Sequence, residues 1–96
     1  MAVRLTTSAE RDLFEIFLYG IETFGLRQAE AYQSGLKATF ALVEAQPLIG
    51  RERSEFTPPV RTLRYEAHII LYAIEATGDV LIVRVRHARE DWLQST

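Results

Sequence analysis

The amino-acid pattern predicts a small α+β domain in the order strand, helix, helix and three strands (β-α-α-β-β-β), with an antiparallel sheet packed on a two-helix hairpin. Three observations predict it. Residues 7–46 carry apolar side chains at three- and four-residue steps in two stretches separated by one glycine. Residues 60–87 carry three strand-like runs, the last two joined by a tight turn. The whole chain is 96 residues long, which fits one domain spanning 1–96.

The elements follow in order. "AVRLT" (2–6) alternates, with Val3 and Leu5 on one side and Arg4 and Thr6 on the other, so it reads as a first strand. "TSAE" (7–10) is a capping box, with Thr7 as the cap and Glu10 reaching back. The helix after it places Leu13, Phe14, Phe17, Leu18, Ile21 and Phe24 on one wide apolar stripe, expected to face the core. Gly25 ends it, and the short link to Leu26 makes the helices an antiparallel hairpin. The second helix (26–46) is striped by Ala29, Tyr32, Leu36, Phe40 and Val43, and Gly35 inside it is expected to mark close packing against the first helix. Pro47 and Gly50 close it, and residues 48–59 read as a polar loop. "VRTLRYE" (60–66), "HIILYAIE" (68–75) and "DVLIVRVRH" (79–87) are the three strands, with "ATGD" (76–79) as the hairpin turn.

Two helices cover one face of such a sheet and leave the other open. In the last strand Leu81, Val83, Val85 and His87 share one side, and Val80, Ile82, Arg84 and Arg86 the other. Placing the first set against the helices keeps the arginines out of the core. The expected open face is then Val80, Ile82, Arg84 and Arg86, a mixed apolar and cationic surface suited to a protein partner bearing carboxylates.

Composition narrows the function classes. The formal net charge is −2, so a strong sequence-independent grip on nucleic acid is not expected. Ten of the eleven basic residues are arginine and Lys37 is the single lysine, a bias that suits bidentate pairing with carboxylates or phosphates. The chain has no cysteine, which removes thiolate metal sites and suits a reducing cytoplasm. No apolar run approaches the ~20 residues of a membrane helix, and no secretion signal core is present, so a cytoplasmic, membrane-free protein is expected. His68 and His87 stand without clustered acids, so neither a metal nor another cofactor is expected. His87, Arg84, Arg86, Arg89 and Tyr65 have the residue types of a ribonuclease-like set, but alternation puts His87 opposite Arg84 and Arg86.

The order and spacing of "TTSAERDLFEIFLYGIETFG", "QAEAY", "AQPLIGRER" and "VRTLRYEAHIILYAIEATGDVLIVRVRHAREDW" resemble the ParE toxins of the RelE/ParE toxin–antitoxin superfamily. The "RVRHAREDW" close is the most specific piece. The resemblance implies a RelE/ParE-like fold and the toxin half of a type II toxin–antitoxin pair. It implies inhibition of DNA gyrase without catalysis, and neutralisation by a ParD-like antitoxin. The alternatives are RelE-type ribosome-dependent messenger cleavage, or an antitoxin-binding module without toxicity. RelE-type cleavage uses a tyrosine near the C-terminus, and this chain has none after Tyr72. Under the resemblance Arg61, Arg64, Val80, Ile82, Arg84, Arg86 and Arg89 are the expected antitoxin contacts, and Arg89, Asp91 and Trp92 the expected target contacts.

Overall fold

The computed structural model describes residues 2–57 and 59–90. Strand β1 (Val3–Leu5) leads into helix α1 (Thr7–Phe24) and helix α2 (Leu26–Ala45). A 3-10 turn (Pro47–Ile49), strand β2 (Arg51–Arg53) and strands β3 (Val60–Tyr65), β4 (His68–Ile74) and β5 (Val80–His87) complete the order. The α+β class stands. The sheet is mixed rather than antiparallel throughout, with five strands in the order β1-β5-β4-β3-β2 and β1 parallel to β5. β2 lies inside the segment expected to be a polar loop and pairs with the start of β3. Among the described residues no helix is long and apolar enough to cross a membrane.

The cap of α1 is Thr6, not Thr7. Its hydroxyl oxygen accepts from the Ala9 amide at 3.0 Å and donates to the Val83 carbonyl at 2.7 Å. One side chain thus starts the helix and ties it to β5. Gly25, at φ +94°, reverses the chain within one residue and serves both helix ends. The helices pack closely where Gly20 meets Ala29, since a Cβ at Gly20 would lie 3.1 Å from that of Ala29. Gly35 has another neighbour than the one expected: the Tyr65 ring of β3 fills the space where its side chain would stand.

The core lies between α2 and the sheet. Leu36, Phe40 and Val43 pack on Ile70, Tyr72, Val80, Ile82 and Val85. The assignment of the two faces of β5 is therefore corrected: Val80 and Ile82 are fully buried against the helices. A β-bulge is the reason. Leu71 pairs with Arg84 and Tyr72 with Ile82, so Val83 is the extra residue. One inserted residue reverses the alternation. Before it Val80 and Ile82 point inward, and after it Val85 does, with the exposed His87 on the same side of the sheet. A regular strand offers only one of these two sets.

α1 is corrected as well. Ala9 and Asp12 are its buried residues and Leu13 and Ile16 pack on the core, while Phe14, Leu18 and Phe24 of the expected stripe face outward.

Tyr72 pins the turn after α2. It is fully buried, donates to the Pro47 carbonyl at 2.6 Å and accepts from the buried Gly50 amide at 2.8 Å. Tyr72→Phe is expected to strand that amide and lower the unfolding free energy by about 1–3 kcal/mol, read by urea denaturation. An unchanged midpoint and slope would refute the assignment.

Candidate functional site

The bulge re-aims the end of β5. β1 covers only Val80–Ile82, so the rest of β5 runs past the end of its neighbour as a sheet edge. α1 covers that edge through Asp12, which is 6% exposed. One carboxylate oxygen accepts from the Val85 amide at 3.0 Å and from Arg84 Nε at 2.8 Å. The other accepts from Arg84 Nη2 at 2.9 Å. The Arg84 pair is bidentate, and the hydrogen bonds to Asp12 hold the guanidinium pKa above its ordinary value. Arg86 approaches the same carboxylate at 3.9 Å and pairs with Glu90, whose other oxygen accepts from the His87 amide at 3.1 Å. A carboxylate thus meets the amide of Val85 and another that of His87, which closes the edge to a further strand.

Beside this edge opens a cleft of 640 Å³ between the hairpin and the ends of β4 and β5. Tyr19, Phe24, Tyr32, His68 and His87 give its walls an aromatic character, and Glu15, Glu66 and Glu90 lie around it. His68 pairs directly with His87 across the strands, with ring centroids 5.3 Å apart. The Tyr32 hydroxyl lies 2.7 Å from His68 Nδ1 and accepts from the Ala67 amide at 3.2 Å. Burial first, and then the neighbouring His87 ring, hold the His68 pKa below the usual imidazole value. A neutral His68 can then accept the Tyr32 proton at Nδ1. Burial also raises the Tyr32 phenol. Among the described residues no cluster of three or more metal-ligating side chains occurs.

The expected site residues fall in different places. Val80 and Ile82 belong to the core and touch no surface. Arg84 and Arg86 are engaged by Asp12 and Glu90. Arg61 donates to the Gly50 carbonyl at 2.7 Å and bolts the 3-10 turn to β3. Arg64 is exposed, its Nε donating to the Glu66 carbonyl at 2.8 Å. Arg89 is exposed just after β5, and its amide donates to His87 Nδ1. Asp91 and Trp92 lie outside the described residues. The side of the sheet away from the helices carries Ile69, Ala73, Leu81 and Val83, all part-exposed, beside Arg4 and Arg64. Phe56 packs over its far end on Val60 and Leu71.

Asp12, the pairing of His68 with His87 and the contact of Tyr32 with His68 are what sequence reasoning missed. Asp12 left a trace, a lone acid three residues after Ala9 and four before Ile16 on the buried side of α1. The histidine pair left none, because the register counted back from the turn pairs His68 with Arg86, and only the bulge brings it to His87.

Comparison with known proteins adds four findings. The family described as "ParE toxin of type II toxin-antitoxin system, parDE" matches residues 3–92. Toxin ParE1 of Mycobacterium tuberculosis is 33% identical over 87 residues, covering 91% of this chain and 89% of the relative. Toxin ParE3 of Caulobacter vibrioides is 30% identical over 84 residues, covering 88% and 83%. Among solved structures, a chain of the chromosomal ParDE system from P. aeruginosa superposes with a TM-score of 0.78 at 20% identity, covering 91% of this chain and 95% of that one. At that identity the superposition speaks for the fold.

Two outcomes are expected from this geometry. Asp12→Ala leaves the Arg84 guanidinium and the Val85 amide without their acceptor and should cost about 3–5 kcal/mol of stability by denaturant unfolding. A loss under 1 kcal/mol would rule out the knot as a major support. The lowered His68 pKa gives stability that is complete above the unfolded value of 6.5 and is lost as pH falls from there through the folded value. Unfolding curves across that window should fall more steeply for the native chain than for His68→Gln. Parallel curves would contradict it.

Proposed function

The chain belongs to the ParE toxin family of type II toxin–antitoxin systems, and from that premise we propose that it inhibits DNA gyrase and is silenced by direct binding of a ParD-like antitoxin. The observation that carries a non-catalytic mode of action is the state of the cations. Phosphoryl cleavage needs positive groups poised for the charge that develops on the phosphate. Arg84 and Arg86, the two arginines that share β5 with His87, are committed to Asp12 and Glu90. Their charge is spent on holding the sheet edge.

The antitoxin surface in this reading is the outer side of the sheet. Ile69, Ala73, Leu81 and Val83 supply apolar contact, and Arg64 and Arg89 supply charge for antitoxin carboxylates. Val80 and Ile82 leave the proposal because they are buried. Arg61, Arg84 and Arg86 act through the fold: they shape that side of the sheet while their donors serve internal acceptors. The segment Arg89–Trp92 is the proposed gyrase contact.

A supercoiling assay with purified gyrase tests the reading. Added chain should block supercoiling or trap cleaved DNA, and the antitoxin should reverse the effect. No inhibition by folded protein, together with messenger cleavage on ribosomes, would replace it with RelE-type chemistry. The joint Arg64→Ala and Arg89→Ala variant should bind antitoxin at least about tenfold more weakly, a loss of about 1.4 kcal/mol, mostly through slower association if the charges sit at the rim. Unchanged affinity by calorimetry would move the antitoxin site elsewhere.

A further inference from the structure

α1 has two apolar sides. Ala9, Leu13 and Ile16 pack into the core together with Asp12. Phe14, Phe17, Leu18 and Ile21 recur at three- and four-residue steps on the side away from it. Phe14 is 61% exposed and Leu18 44%, and Phe17 and Ile21 are part-exposed. A helix turning about 100° per residue gathers these four into one sector about 100° wide, the width of a stripe that packs on a neighbour.

The stripe is symmetrical about its own midpoint. Phe14 and Ile21 stand equally far from the point between Phe17 and Leu18. Two copies of α1 laid antiparallel across a two-fold axis at that point set Phe14 of each against Ile21 of the other. They also set Phe17 against its own mate and Leu18 against its own. A two-fold contact demands this kind of self-complementarity.

The charges agree with it. At about 100° per residue, Arg11 and Glu22 fall on the same rim of the stripe, the Leu18 side. In an antiparallel pair related by a two-fold axis, like rims face each other. Arg11 of one copy then meets Glu22 of its mate, and the contact occurs twice. The two positions differ by two residues in height above the axis, about 3 Å at 1.5 Å per residue, within reach of both side chains. Neither residue forms an ion pair among the described residues. A rim of mixed sign suits a second copy better than a partner arm of uniform charge.

We infer that the outward face of α1 is a self-association surface, through which the chain free of antitoxin forms a two-fold dimer across the Phe14–Ile21 stripe. This goes beyond the toxin reading and does not depend on it, since no gyrase or antitoxin contact enters the argument.

Sedimentation equilibrium of the full chain without antitoxin, over the micromolar range, tests it. A reversible monomer–dimer equilibrium is expected. Leu18→Glu should weaken it at least about tenfold while circular dichroism stays native, because Leu18 faces solvent in the single copy. Arg11→Glu and Glu22→Arg should each weaken the dimer, and an equimolar mixture of the two should recover it. A native chain that stays monomeric throughout overturns the inference. So does a dimer indifferent to Leu18→Glu, or a failure of the mixture to recover. Loss of antitoxin binding by Leu18→Glu in a chain that is monomeric would assign the stripe to the antitoxin instead.

Discussion

The buried carboxylate of Asp12 is the constraint on which the rest of the arrangement hangs. A charge at 6% exposure is costly unless every lone pair finds a donor. Here the donors are Arg84, by two nitrogens, and the Val85 amide. All belong to the stretch of β5 that follows the bulge and has outrun β1. The ion pair therefore does three things together. It anchors α1 to the sheet, covers an edge that β1 is too short to protect, and draws the Arg84 side chain around that edge. Thr6 reinforces the joint from the other end by capping α1 and donating to the Val83 carbonyl.

A second consequence is the grouping of aromatic and titratable side chains at the end of β4 and β5. Once the bulge has turned Val85 inward, His87 must follow onto the same side, where it stacks edge-on against His68. Tyr32 reaches them from α2, and its ring also packs on Tyr65. Tyr65 in turn occupies the space beside Gly35, which explains why a glycine stands in the middle of a helix. The cleft, the histidine pair and the helix glycine are one piece of packing, set in place by one extra residue in β5.

The division of the arginines follows from the same geometry. Arg84 and Arg86 were legible as a functional pair because they alternate on a strand, yet Asp12 and Glu90 hold them. Arg64 and Arg89 remain at the exposed positions. The outer side of the sheet is still apolar and cationic, as expected of it, but Leu81 and Val83 replace Val80 and Ile82 there.

Local chemistry was enough for much of this protein. The periodicity of residues 7–46, the single glycine at 25 and the turn at 76–79 determined two helices and a hairpin, because each of these signals acts over a few residues. The family, too, was legible, since it resides in the order and spacing of those segments. Which side of each element faces inward was decided only by the tertiary structure. The face of α1 could not be read because it is apolar on both sides, and burial went to the side that carries Asp12. The parallel pairing of β1 and the short β2 are contacts between distant segments that leave no local trace. The bulge at Val83 is the deepest reason: regular alternation has no means of announcing where it breaks, and one inserted residue reverses everything after it.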